Sequence, residues 1–401
     1  MNMAPMETPE RELNYLNLFW LTTTPVLAIV GVTWYWLHNG FPWANLLVFT
    51  LMYLATGLSI TAGYHRYYSH RSYECGKGLQ LFYLIFGAAA AQNSVLNWAS
   101  DHRDHHRYVD GEKDPYNIGK GFFYAHMGWI FYADPLADER KKNAPDLTKD
   151  PLVLWQDRWY PFLVVAVSFG LPTFLGLLMG HPLGGFLWGG LFRMVVVHHM
   201  TFLINSAAHV WGGKPYSMNN SARDNCFLAP LTFGEGYHNF HHKFPADWRN
   251  GIRWHQFDIT KWWLWATRTI GLTSKLKSVP EPLILKARLE VEMEKAKQKL
   301  SIDSSILEKA QEVLENGRES FLLAMERYQK AKTDYSRAKR YWSVTMRREI
   351  RNDIRKYSKE LANARRSWNQ AMDLVNRFSY SYSGAKSIVL LTALADIFKS
   401  R

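Results

Sequence analysis

The segment Leu79-Gln-Leu-Phe-Tyr-Leu-Ile-Phe-Gly-Ala-Ala-Ala-Ala-Gln-Asn-Ser-Val-Leu96 settles the topology of this 401-residue chain. It has nearly the length and apolarity of a membrane span, yet it separates His65-Arg-Tyr-Tyr-Ser-His70 from His102-Arg-Asp-His105-His106. If it crossed the bilayer, the two histidine groups would face opposite compartments and could not share a site. It also carries Gln92 and Asn93, with Asn97 just beyond, and such groups are costly in hydrocarbon. It is therefore expected to lie against the membrane face from which it starts, or to re-enter there.

Four other stretches reach the roughly 20 apolar residues that a crossing helix needs: residues 16–37, 43–62, 160–179 and 186–208. The turns His38-Asn39-Gly40-Phe41-Pro42 and Gly180-His181-Pro182 are short, so the spans pair as two hairpins. Trp34, Trp36 and Trp43 beside the first turn suit an interfacial aromatic belt. With four spans, both termini and all histidine groups fall on one side. The polar start, Met1 to Glu12, has no signal-peptide character, so the first span is expected to persist as a membrane helix.

Composition changes near Ser278, dividing an aromatic and aliphatic membrane domain, 1–278, from an extension, 279–401, rich in Lys, Arg, Glu, Ala and Gln. The formal charge of +13 is concentrated there: from Thr273 onward about 27 Lys and Arg face about 16 Asp and Glu, roughly +11. By the positive-inside bias this places the tail, both termini and the histidines in the cytosol. The basic tail suits lipid headgroups or an acidic partner protein, and nucleic acid is not expected. Two cysteines, Cys75 and Cys226, are too few for a disulfide framework or a thiolate cluster. Within the extension, Phe321, Ala324, Tyr328, Ala331, Tyr335, Ala338 and Trp342 recur at heptad spacing. A second seam, Ile350, Ile354, Tyr357, Leu361, Ala364, Trp368, Ala371 and Val375, follows a phase break near Met346. The pattern is coiled-coil-like and fits two helices packed as a hairpin or one long helix with a stutter. The fold class is all-α: four transmembrane helices in two hairpins, a cytosolic helical cap, and this helical extension.

Eight of the 15 histidines lie in three groups, the third being His238-Asn-Phe-His241-His242. Residues i, i+3 and i+4 share one face of a helix, so the second and third groups should each aim three imidazoles in one direction. The five-residue step from His65 to His70 fits a straight helix less well, and should fall where the second span frays or ends. An isolated histidine is usually a cap or an interface residue, but three clusters together form a metal site. Neutral imidazole suits zinc, iron, copper and nickel, and eight or more ligands exceed the needs of one ion. Two ions are implied, and spacing alone leaves zinc hydrolysis and iron oxygen chemistry open.

The HX4H, HXXHH and HXXHH boxes between paired apolar spans resemble the membrane fatty acyl desaturase and hydroxylase family over roughly residues 16–273. Longer strings are similar to its stearoyl-CoA desaturase branch: Thr61-Ala-Gly-Tyr-His65-Arg, Trp98-Ala-Ser-Asp-His102-Arg-Asp-His105-His106, Asn205-Ser-Ala-Ala-His209 and Gly234-Glu-Gly-Tyr-His238-Asn-Phe-His241-His242. By that resemblance His209 is a ninth imidazole ligand, and Asn205 reaches one metal through water. His126, His198, His199 and His255 match no ligand position. The resemblance implies two iron ions, with zinc an alternative in recombinant material. It also implies O2 as co-substrate and insertion of a cis double bond, of delta-9 type, into an acyl chain. Gln92, Trp98 and Thr201 match positions that bend the substrate tunnel, and Asn93 one that contacts substrate.

The branch has an Arg before the Asp of its second box and a basic pair after a Phe-Phe-Phe-Ser-His-Val-Gly-Trp string, both on the CoA moiety. Here Ser100 and Tyr132-Ala133 take those places. The acyl group is thus expected on CoA, on a membrane lipid or on a carrier protein. No Cys-X-X-Cys-His, haem domain or Gly-X-Gly-X-X-Gly is present, so electrons should come from a separate donor such as ferredoxin or a cytochrome-type carrier. A hydroxylase of acyl chains or alkanes on the same boxes is the main alternative. A membrane scaffold with a structural metal is a third reading.

Overall fold

The computed structural model describes residues 12–299, 304–341, 344–378 and 384–399, so residues 1–11 of the polar start and Trp342 lie outside the described residues. Among the described residues, four helices are long and apolar enough to cross a membrane: Tyr15–Asn39, Trp43–Ser69, Pro151–Leu178 and Pro182–Val210. Asn14 caps the first, its side chain accepting from the Asn17 amide at 3.0 Å, and Gly40 ends it at φ 72°. Asp150 caps the third, with Pro151 in its first turn, and Gly180 at φ 78° turns the chain toward the fourth. The first span exposes Leu16, Phe19, Leu27, Val30 and Leu37, as a lipid-facing helix does.

The segment around Leu79 does not cross. It forms a helix, Lys77–Ala88, that packs on the end of the second span, turns at Ala91 and Asn93 in left-handed conformation, and returns as the helix Val95–Tyr108. Close approach is made through glycine on both sides. A Cβ on Gly63 would stand 2.6 Å from Tyr83, and one on Gly87 would stand 2.3 Å from the Tyr64 ring.

A helix that ends level with the middle of the spans leaves carbonyls with no water to bind. The two later spans satisfy them. The Arg193 guanidinium donates to the Ala89 carbonyl at 2.7 Å and to Ser168, Ser168 Oγ donates to Ala89 at 3.0 Å, and His198 Nε2 donates to Ala90 at 2.7 Å. Arg193 and His198 are thus structural anchors of the re-entrant turn.

Residues up to Lys214 together with Asn219–Ser278 make one compact unit, and Val279 onward with Pro215–Met218 makes a second. In the second unit, Ser304–Tyr341 and Val344–Phe378 pair with each other, and Glu281–Lys299 and Gly384–Lys399 pack on them. The hairpin alternative therefore describes its two long helices, but the unit is a four-helix bundle. The two flanking helices carry no long heptad seam and escaped a reading based on that period. Leu289, Met293, Leu390 and Leu394 join Phe321, Ala324, Ala364, Trp368, Ala371 and Val375 in one core. Ile350, Ile354, Tyr357, Tyr328 and Tyr335 are only half-buried, since they lie toward the other end of the long pair.

Candidate metal centre

His65 stands on the π-helical end of the second span, Ser59–Ser69, and His70 caps it, its amide donating to the His65 carbonyl at 3.1 Å. An i to i+5 turn places a five-residue step on one face, which an α-turn does not. The ring centroids are 4.8 Å apart. The helix Val95–Tyr108 supplies His102, His105 and His106, and His238–Lys243 supplies His238, His241 and His242. The fourth span breaks at Ser206, and the short helix Ala207–Val210 turns His209 inward.

The nine imidazoles form two groups, His65, His70, His102, His106 and His241 on one side and His105, His209, His238 and His242 on the other. The expectation that each HXXHH box points one way is thereby corrected. Neighbours such as His105 and His106 diverge by roughly 100° around a helix, so each box straddles both groups.

Within the groups Nε2 faces Nε2: His65 to His241 at 2.9 Å, His106 to His241 at 2.9 Å, His70 to His102 at 2.9 Å, His209 to His238 at 3.1 Å, and His238 to His242 at 3.0 Å. Within the second group His105 Nε2 also faces His242 Nε2, 3.2 Å away. Metal–imidazole bonds of about 2.1 Å at right angles separate two nitrogens by roughly 3.0 Å, and tetrahedral angles by about 3.4 Å. The donor set thus fits two ions, one beside five imidazoles and one beside four.

The outer nitrogens are held by groups that direct the lone pairs inward. His65 Nδ1 lies 3.0 Å from Glu235, His105 Nδ1 2.9 Å from Asp114, and His209 Nδ1 2.6 Å from Ser221 Oγ, whose backbone amide donates to Asp110. Tyr116 is 3.3 Å from His102 Nδ1. A carboxylate or hydroxyl on Nδ1 keeps the proton there and leaves Nε2 free to ligate. Burial, reinforced by the neighbouring rings, pushes His102, His106, His238, His241 and His242 well below their ordinary 6.5. Neutral imidazole is the ligating form. Burial would raise the Glu235 carboxyl, but His65 and Arg66 beside it hold it below its ordinary value. Glu235, Asp114, Ser221 and Tyr116 were not singled out from the sequence. Glu235 alone sits inside a quoted string, three residues before His238.

A cavity of about 520 Å³ opens onto His65, His102 and His238. Gln92, Asn93, Trp98, Thr201 and Asn205 all line it. Gln92 Nε2 donates to Thr201 Oγ1 at 3.0 Å, the Asn93 amide to the Tyr160 hydroxyl at 2.8 Å, and the Trp98 ring stacks on His102 at 5.0 Å. A narrow apolar cavity, walled by Tyr53, Gly57, Met200 and Phe233, shares Ile60, Thr61, Thr201 and Ile204 with it. His126 and His199 pair with each other at 3.1 Å and belong to neither group.

The sequence profile of the fatty acid desaturase family matches residues 41–269. The chain is 42% identical over 278 residues to a probable acyl-CoA desaturase of Schizosaccharomyces pombe and 39% identical over 287 residues to acyl-CoA desaturase 1 of Saccharomyces cerevisiae. These alignments cover 69% and 71% of this chain and 57% and 56% of those proteins, so the chain spans little more than half their length. It is also 35% identical to an sn-2 palmitoyl-lipid 9-desaturase of Nostoc, over 69% of this chain and 95% of that protein. With more than half of its residues under the family profile and its histidines in two converging groups, the chain belongs to the fatty acid desaturase family.

Proposed function

We propose that this chain is an integral membrane oxidoreductase that inserts a cis double bond, of delta-9 type, into a saturated fatty acyl chain. The observation that carries the reading is the pair of histidine groups at the wall of a cavity continued by a narrow apolar one. Two iron ions held by His65, His70, His102, His106 and His241, and by His105, His209, His238 and His242 with Asn205 through water, would supply oxygen activation. The overall change removes one hydrogen from each of two adjacent methylenes and, with two electrons and two protons from an external donor, reduces O2 to two waters.

The chain's own groups do the positioning. A methylene offers no charge or hydrogen bond, so the site of reaction depends on how far the tail enters a shaped apolar channel. The Gln92–Thr201 hydrogen bond and the Trp98 ring make a wall beside the histidines against which an acyl chain bends. Glu235, Asp114 and Ser221 keep the imidazoles of His65, His105 and His209 oriented. The active site and both termini are assigned to the cytosol, where a basic protein surface suits an acidic donor such as a ferredoxin.

Expression of the full chain in a host lacking unsaturated fatty acids, with mass-spectrometric location of the double bond, tests this. A cis bond between carbons nine and ten is expected. Hydroxylated acyl chains in place of the olefin would refute desaturation.

A further inference from the structure

The fourth span does not run straight to its metal ligand. Its helix Arg193–Asn205 stops at Ser206, and the ladder resumes with the His209 amide donating to the Ser206 carbonyl at 3.1 Å and the Trp211 amide to Ala207 at 2.8 Å. Ser206 is fully buried, and its amide and its hydroxyl both donate to the Phe202 carbonyl, at 3.1 and 2.9 Å. A hydroxyl that bonds back to the carbonyl one turn earlier bends a helix. The bend decides where the next turn points, and that turn carries His209, a member of the four-imidazole group.

Two contacts from outside the span hold this bend, and neither is made by a metal ligand. The short helix Phe122–His126 places His126 Nδ1 2.9 Å from Ser206 Oγ and His126 Nε2 3.1 Å from His199 Nδ1. The single hydroxyl proton of Ser206 is committed to Phe202, so His126 Nδ1 is the donor to Ser206. Burial and the neighbouring His199 push His126 down to about 4, so its ring is neutral and accepts at Nε2 from His199. Three hydrogen bonds therefore run in one direction, from His199 through His126 and Ser206 to Phe202. The second contact lies beyond His209, where the Phe122 ring, stacked on His126 at 5.8 Å, meets Trp211 at 5.2 Å. The short helix thus grips the chain on both sides of the ligand.

We propose that the helix Phe122–His126 is a clamp that aims His209 at the four-imidazole group, with His126 as the positioning residue acting through Ser206. The inference rests on the two-ion reading above and adds the part of the chain that sets one of its ligands. The same helix leads into Gly128–Phe131, whose Trp129 and Ile130 line the large cavity. One loop therefore carries both the clamp and part of the cavity wall.

The test uses the full-length protein in lipid nanodiscs, loaded with isotopically enriched ferrous iron. Mössbauer spectra and metal content per chain are followed during titration with a chelator. The unaltered protein should hold two ions and show two doublets, and fewer than two ions would overturn the two-ion reading together with this proposal. His126→Gln carries its amide to the place of Nε2 and leaves Ser206 without a donor. It should shift the doublet that His209→Ala removes, and release that ion at about tenfold lower chelator concentration. His126→Asn keeps an N–H where Nδ1 stood, and should release both ions as the unaltered protein does. Phe122→Ser changes an exposed ring and reads the other half of the clamp even if His126→Gln does not fold. It should release the same ion about threefold earlier. Three results would overturn the proposal and leave the two-ion reading intact: unaltered release in Phe122→Ser and in folded His126→Gln, a shift confined to the other doublet, or equal loss in His126→Asn and His126→Gln.

Discussion

Glu235 and Asp114 allow the two histidine groups to be perturbed one at a time. Glu235 is buried, stands 3.0 Å from His65 Nδ1 and is shared with Arg66, which keeps a second carboxylate, Asp258, at 3.0 Å. Glu235→Gln preserves volume and lets Arg66 stay paired, but removes the charge that favours the ligating tautomer of His65. Losing such an outer partner typically weakens a metal site ten- to hundredfold, about 1.4–2.8 kcal/mol. Asp114 does the same for His105, a member of the other group. Metal content per chain, measured by elemental mass spectrometry during titration with a chelator, is the assay. In Glu235→Gln one ion should leave at ten- to hundredfold lower chelator concentration while the other is retained. Asp114→Asn should show the same biphasic release, and the double variant should lose both ions early. Release of both ions together in each single variant, in protein that remains folded, would refute the division into two separately supported groups. Unchanged release in Glu235→Gln would refute the role given to its carboxylate.

Arg193→Met deletes the donor to the Ala89 and Ser168 carbonyls at the re-entrant turn, and should cost about 1–3 kcal/mol, read as a lower melting temperature in detergent. An unchanged melting temperature would remove Arg193 from the anchoring role. Acid should destabilise the metal-free protein. Because His102, His106, His238, His241 and His242 lie well below 6.5 when folded, the unfolded chain binds more protons as the pH drops below about 6.5. Stability is thus fully present above that value and falls beneath it by up to ~1.4 kcal/mol per pH unit for each histidine, and a melting curve that rises toward pH 5 would contradict this. Phe233→Ala should open the narrow apolar cavity and extend the longest acyl chain accepted by roughly two carbons, as scored by product chain length. Single cysteines at Lys113 and Lys243 should react from one side of the membrane and those at Asn39 and His181 from the other. A split within either pair would refute the four-span topology.

Local pattern made part of this architecture legible. Span length depends only on a run of apolar residues, so all four spans were found where the helices stand, though the helices at Ser69 and Pro151 run past the apolar limits into polar sequence. The histidines could be named because each box is a short-range spacing on one helix. The His65–His70 step looked irregular only against an α-helical period, and the π-helical end of the second span accounts for it. The seam of the long pair in the extension was visible from Phe321 to Val375, but the flanking helices that complete its core were not, since their apolar residues follow no extended heptad.

The sequence by itself determined which atoms are available: nine imidazoles, the four apolar spans that carry or flank them, and the apolar segment that cannot cross without separating them. Tertiary structure decided the rest. His65 meets His241 across 176 residues, and His105 meets Asp114 only because the chain folds back after Tyr108. Arg193, an isolated cation in an apolar run, acquires its purpose from the Ala89 carbonyl 104 residues away. The five-and-four division follows from how the second span, the two box helices and the end of the fourth span are turned about their axes. That rotation is set by packing among distant segments, which no local spacing encodes.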